Sequence, residues 1–484
     1  MEFRSAGWSG GSWVWRHEGD GAAFDAFWSR CRRIGHASDP IHEGIRGGIT
    51  LLAVKAHSNP LSTKVGGLGL SRTSTWRNAG VFCLSFLSGF VFIEPSPHDV
   101  LMLLAIATML SLGYFKIFES ALPAFVVLNI FFIFNIIPLL YVSDVDASYR
   151  FVLITVYLIL SFLFYKCLIL RAENDLIIWL MKGYVYTCAF GCIVSIFCII
   201  IPNSLSDLVL YGRATDEIRT RAFFQDPNVF GPFLVPAFLL CAYCWKFLFA
   251  SKILAPVRWF FLLIFLVCII LAASRGGWLN LLVALAALGW IGQRQASWSR
   301  RFRRRASLPI VALAIVAGLS YALVAVGGYD EFLADRLEEK AYDQDRFLAQ
   351  MLALEEAVAN PFGIGPGQSE SYEGSVSLFR APYSPHSLYV RVLAESGWGG
   401  AASFLVFLLL TMRRAWSIAV TDWRYASLSA VVFASLLGIL ANSFFVDTLH
   451  WRHFWMLLGI AWGLSGLWRW EFAVRPRPSG VRAK

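Results

Sequence analysis

Long apolar runs separated by short polar turns fill the chain from about residue 79 onward. They lie roughly at 79–95, 99–115, 121–142, 149–170, 179–201, 228–249, 257–273, 276–292, 308–327, 394–412, 425–446 and 451–468. A helix of about 20 apolar residues crosses a hydrocarbon layer of about 30 Å and satisfies its own backbone hydrogen bonds there. The pattern predicts an all-α, polytopic integral membrane protein with about 12 transmembrane helices. Two stretches depart from it. Residues 1–77 are mixed and rich in Gly, Ser and Arg, without the basic start and short apolar core of a secretory signal. They are expected to form a poorly ordered cytoplasmic extension. Residues 328–393 form a long polar loop.

The basic residues orient the spans. Arg294, Arg300, Arg301, Arg303, Arg304 and Arg305 crowd the loop 293–307, which the positive-inside rule places in the cytoplasm. Counting outward, Lys116, Lys166, Arg171, Lys246, Lys252, Arg258, Arg413, Arg414, Arg424 and the basic tail 471–484 fall on the same side. Both termini are then cytoplasmic, and the loop 328–393 is periplasmic, part of a membrane domain spanning 78–470. The net charge of +10 is explained by this distribution, so nucleic acid is not expected as a partner. Only 15% of residues are charged, against about a quarter in soluble proteins. Of nine cysteines, all but Cys31 lie in or beside apolar runs, with no paired CxxC zinc pattern, so a disulfide framework is not expected.

The long loop has its own organisation. Phe347, Met351, Leu354 and Val358 recur at helical spacing and predict an amphipathic helix within 330–359 lying along the outer surface. Asn360-Pro361 ends it, and Phe362-Gly363-Ile364-Gly365-Pro366-Gly367 predicts a tight turn. An irregular segment then leads into Pro385-His386-Ser387-Leu388-Tyr389 and Glu395-Ser396-Gly397.

His386 is a candidate general base, because an imidazole accepts a proton from a hydroxyl near neutral pH. The competing reading is an interfacial histidine bonded to a backbone carbonyl. His98, His450 and His453 also fall near the outer face, at span ends. Several arginines break the inside bias: Arg213, Arg219 and Arg221 in the loop 203–227, Arg275 in a Ser-Arg-Gly-Gly turn, and Arg336, Arg346, Arg380 and Arg391 in or beside the long loop. Guanidinium at an outer face needs compensation, and a bound phosphate supplies it through paired hydrogen bonds. Asp226 and Asn228 orient such arginines or cap a helix. Asp343-Gln344-Asp345 matches the DxD pattern of metal-dependent glycosyl transfer, but on an amphipathic helix beside Arg346 it reads better as a solvated face. Glu370 and Glu373 are further acids in the loop. No P-loop, GxSxG, HExxH or GxGxxG in strand–helix context is present.

The ordered set Arg219 through Asn228, Ser274-Arg275-Gly276-Gly277, Asn360 through Gly365, and Pro385 through Tyr389 with Glu395-Ser396-Gly397 resembles the O-antigen ligase / O-antigen polymerase family of bacterial envelope glycosyltransferases. The resemblance covers about residues 79–470. It implies a lipid-donor (C-type) glycosyltransferase fold in the bacterial inner membrane and an undecaprenyl-diphosphate-linked glycan donor. It also implies a site in which Arg219 or Arg221, with Arg275, holds the diphosphate while His386 activates the acceptor hydroxyl. Asn228, Arg346, Tyr389 and Glu395 are supporting candidates, and neither a metal nor a cofactor is implied. This chain has Ser387 where the family often has asparagine. The expected activity is polymerisation of lipid-linked repeats into an exopolysaccharide or O-antigen, with other polysaccharide assembly proteins as partners. Ligation to a lipid A–core acceptor is the alternative. A transporter or flippase is the alternative of another class; it would call for interrupted helices and mid-membrane ionisable groups.

Overall fold

The computed structural model describes residues 8–9, 12–13, 69–115, 120–171, 174–212, 218–249, 255–294, 341–370 and 384–474. The expected span 308–327 lies outside these residues, as do Arg213, Arg336, Glu373, Arg380 and residues 475–484 of the basic tail. The chain divides into two units, residues 1–71 and 72–484. In the first, β1 (Trp8–Ser9) pairs antiparallel with β2 (Ser12–Trp13).

The second unit is helical. Its long elements are α1 (Gly69–Leu87, most of which lies in this unit), α2 (Pro97–Ser111), α3 (Leu122–Ile136), α4 (Val145–Leu170), α5 (Asn174–Ile200), α6 (Pro227–Tyr243), α7 (Ala255–Leu271), α8 (Arg275–Arg294), α9 (Ala341–Ala359), α10 (Leu388–Ala419), α11 (Ala426–Asn442) and α12 (Arg452–Val474). α1 begins at Gly69, within the stretch assigned to the N-terminal extension. Among the described residues, α3 with its 3-10 continuation, α4, α5, α8 and α10 are long and apolar enough to cross a membrane, and α2, α6, α7 and α11 are shorter apolar helices. The protein is thus an all-α polytopic membrane protein. Its sole strand pair in the described part of this unit joins β3 (Leu210–Tyr211) to β4 (Arg219–Thr220).

Packing follows side-chain size. α12 lies along α4, α8 along α11, and α3 along α10. Gly459, Gly463 and Gly466 form a small-residue face of α12, closed against Phe162, Tyr165, Ile169 and Leu170 of α4. Membrane helices associate through such close approaches, because lipid supplies no hydrophobic drive between them. Phe162, Phe407, Trp455 and Trp462 interlock in the centre, all fully buried. At one end, Asp99 completes the capping box of α2 with Ser96 and accepts from Nε and Nη2 of Arg452, at 2.6 and 2.7 Å, together with the Tyr157 hydroxyl at 2.7 Å. This network ties α2, α4 and α12 together.

The amphipathic helix is α9, and it docks by an unexpected face. Ala353 and Ala357 pack with Ala394 of α10, while Phe347, Met351, Leu354 and Val358 stay exposed. Alanine lets the two backbones approach closely, so the bulkier apolar residues turn outward. The turn after α9 is held against α10 by three backbone bonds: Ile364 N to Ala394 O at 2.9 Å, Gly365 N to Glu395 O at 3.0 Å and Trp398 N to Pro361 O at 3.0 Å. Gly363 (φ +90°) and Gly397 (φ +66°) face each other across this contact, where a Cβ on either would strike the other segment's backbone. Two loop motifs distant in sequence are therefore one structural joint.

Candidate functional site

His386 ends the polar loop at the entrance to α10. Its φ of +46° lies in the left-handed region, a strained conformation for a non-glycine residue that surrounding contacts must enforce. Those contacts come next in the chain. Ser387 is the extended N-cap of α10 and donates through Oγ to the Ser443 carbonyl at 3.3 Å. Leu388 N donates to the same oxygen at 3.0 Å. Tyr389 donates its hydroxyl to Leu440 O at 2.7 Å, so this supporting candidate clasps α10 onto α11. His386 itself is half-buried. Burial lowers its pKa and Arg346 lowers it further, while Asp226, Asp447 and Glu370 act in the opposite direction. The net shift favours the neutral imidazole, the form that can take a proton. The same interactions place Arg346 of α9, Asp226 before α6, and Asp447 and Glu370 within electrostatic reach of one ring.

The two neighbouring arginines of the loop 203–227 separate clearly. Arg219 is buried on β4, donates from Nε to Ala272 O at 2.9 Å and from Nη2 to Asn228 Oδ1 at 3.0 Å. Asn228 lies in the first turn of α6, whose N-cap is Asp226, and its amide donates to Asp226 Oδ1 at 2.8 Å. Arg221 directs its nitrogens to the carbonyls of Leu208, Gln225 and Asp207, at 3.2, 3.2 and 2.9 Å. It thereby holds its own loop closed.

Arg275 is the first residue of α8, half-buried. Ser274 precedes it and accepts from Gly277 N at 3.2 Å, which fixes the helix start. Gly276 packs directly on the Asn442 side chain at the end of α11. Two short paths then join the candidates. One runs from Arg275 through Gly276 to Asn442, then Ser443, Ser387 and His386. The other runs from Arg275 back to Ala272, then Arg219, Asn228 and Asp226, which acts on His386. The starts of α6, α8 and α10 and the end of α11 meet at one end of the bundle, the end that the Lys/Arg pattern places outside.

Beside His386 lies a charge cluster that sequence reasoning did not assemble. Arg391, which was expected to need an anionic ligand, is buried and is met by protein carboxylates instead: Asp447 at 2.7 Å, Glu370 at 2.9 Å and Glu395 at 3.3 Å. Ser369 Oγ donates to Glu395 at 2.8 Å, so this supporting candidate anchors the loop. Asp447 is half-buried; desolvation alone would raise its pKa, but Arg391 and His450 hold it below the usual carboxylate range. It was not singled out from sequence, although an acid in an outer turn between two spans is a visible signal. His98, buried with Nδ1 2.9 Å from Leu84 O, and His453, edge-on against Phe233, sit apart from this chemistry, whereas His450 borders the cluster 3.7 Å from Asp447. No group of three metal-ligating side chains occurs among the described residues, and Asp345 of the DxD sequence is exposed.

An all-helical, membrane-crossing bundle with cationic and imidazole side chains gathered at one end defines a polytopic membrane protein with a polar site at its rim. Residues 260–405 match the family model described as O-antigen ligase. The match supports assignment to the O-antigen ligase / O-antigen polymerase family and a membrane glycan-processing function. It includes Arg275, Arg346, His386, Tyr389 and Glu395; Arg219, Arg221, Asn228 and Asp447 lie outside it. No curated protein matches the chain.

Proposed function

We propose that the protein is a glycosyltransferase that moves a glycan from a polyprenyl-diphosphate donor to a hydroxyl acceptor at the outer face of a bacterial inner membrane. The observation that carries the reading is the pair of short paths joining Arg219 and Arg275 to His386 around the end of α11. Neutral His386 takes the acceptor hydroxyl proton. The acceptor oxygen bonds to the anomeric carbon as the bond to the diphosphate oxygen breaks. Arg275 and Arg219 stabilise the negative charge that builds on the leaving diphosphate, which is where fixed cations accelerate such a step. The activated bond is already in the donor, so no nucleotide is needed on that side.

The acceptor is another lipid-linked repeat, which makes the enzyme a polymerase of a surface polysaccharide. The description of the matched family, O-antigen ligase, favours a second reading with a lipid A–core acceptor. Purified protein supplied with a lipid-linked repeat, with and without lipid A–core, separates them. A ladder of elongated lipid-linked products supports polymerisation; glycan appearing on lipid A–core alone supports ligation.

A further inference from the structure

α8 and α11 cross through a reciprocal pair. Gly276 and Asn280 are four residues apart on α8, and Gly438 and Asn442 are four apart on α11. The direction in which Gly276 would carry a Cβ is occupied by Oδ1 of Asn442, and the same direction at Gly438 by Oδ1 of Asn280. Each glycine thus offers a Cα hydrogen to the other helix's amide oxygen, a contact that recurs where helices approach closely. Both asparagines are fully buried, and none of their four side-chain polar atoms has a hydrogen-bond partner among the described residues. Burying two amides without ordinary hydrogen bonds is costly. A device whose only task was adhesion would be better made of alanine or leucine.

The position of the pair points to its use. Gly276 follows Arg275 directly, and Asn442 precedes Ser443, whose carbonyl takes the Leu388 amide just after His386 and Ser387. We propose that the Gly276–Asn442 and Gly438–Asn280 contacts are a positioning clasp that sets the register of α8 against α11 and so the separation of Arg275 from His386. A one-methyl increase at either glycine drives the helices apart at the level where the two candidate groups must act together, because a packed interface has no slack to absorb it. The inference rests on the glycosyl-transfer reading for its effect on rate, and on geometry alone for its effect on stability.

The test is a double-mutant cycle read in two ways. Gly276→Ala should lower kcat for transfer from a lipid-diphosphate donor by about tenfold or more, as displacements of this kind do, with a smaller change in KM. It should also lower the melting temperature in detergent. Gly276→Ala combined with Asn442→Ala removes the obstructing amide and should restore most of both. Gly289→Ala, on the same helix with open space around it, should change neither. Gly276→Ala turning over within about twofold of wild type, or a double variant that regains its melting temperature but not its kcat, overturns the positioning role. If the wild type itself transfers no glycan, the glycosyltransferase reading has failed. The melting cycle then still decides the clasp: coupling supports it and additivity refutes it.

Discussion

Arg219 donates from Nε to the carbonyl oxygen of Ala272 at 2.9 Å, so a side chain from the loop 203–227 is fastened to the turn that carries Arg275. Its Nη2 is fixed at the same time by Asn228. A lysine has neither the reach nor the fork to make both bonds. Arg219→Lys should therefore lower transfer by more than about tenfold, as should Arg275→Lys at a site needing paired donors. Arg221→Lys should instead lower stability, by at most about 1.5–3 kcal/mol per charged hydrogen bond lost, seen as a lower melting temperature, and leave kcat closer to wild type. Turnover and thermal melting of the three variants, measured side by side, check the separation; equal losses of rate at 219 and 221 would contradict it.

The pH profile reports on His386. Its pKa is lowered by burial and by Arg346, so the imidazole stays neutral to more acidic pH than the ordinary value of about 6.5. The acid limb of kcat is expected below that value. Arg346→Gln removes a charge that disfavours imidazolium, raises the pKa and should move the limb to higher pH. Asp226→Asn removes a charge that favours imidazolium and should move it to lower pH, with the α6 cap kept because asparagine caps as well as aspartate. Opposite shifts, or none, would show that another group titrates.

Buried Arg391 neutralises three carboxylates, of which Glu395 is buried, Asp447 half-buried and Glu370 exposed. Arg391→Met leaves Glu395 and Asp447 without their cation, which costs about 3–5 kcal/mol for a buried pair. A depressed carboxylate pKa contributes stability above its unfolded value of about 3.9, and that contribution is lost as pH falls. Asp447 is such a group in the wild type and loses its main counter-charge in the variant. The gap in melting temperature between wild type and variant should therefore be wide from pH 7 down to about pH 4 and narrow as pH falls below that. A gap independent of pH would refute the electrostatic origin.

Gly397→Ala should undo the joint between the turn after α9 and α10. Its Cβ would meet the Pro361 carbonyl and the Phe362 backbone, and the φ of +66° disfavours a side chain, together costing about 1–3 kcal/mol or more. Limited proteolysis within 361–370 should become faster while the helical bundle stays resistant.

Much of this architecture was written plainly in the chain, because a helix facing lipid must be apolar along its length and its flanking cations follow the membrane's asymmetry. His386 and the outer arginines stood out for the same reason, as polar groups where the pattern disfavours them. What spacing cannot tell is which face of a helix is covered. In α9 the conspicuous Phe347, Met351 and Val358 point away, and the small Ala353 and Ala357 make the contact. Nor can sequence pair Arg391 with Glu370 and Asp447, which lie 21 and 56 positions away and meet only once α10 has docked. The Gly276–Asn442 contact is hidden similarly, since neither residue type signals a partner on another helix.

The most direct test is transfer and lipid-diphosphate release by purified wild type and His386→Ala, each with a bound-donor measurement on the same preparation. The account expects the wild type to elongate or transfer the glycan with stoichiometric release of polyprenyl diphosphate. It expects His386→Ala to bind the donor as before and release none. Transfer by His386→Ala at the wild-type rate would contradict it.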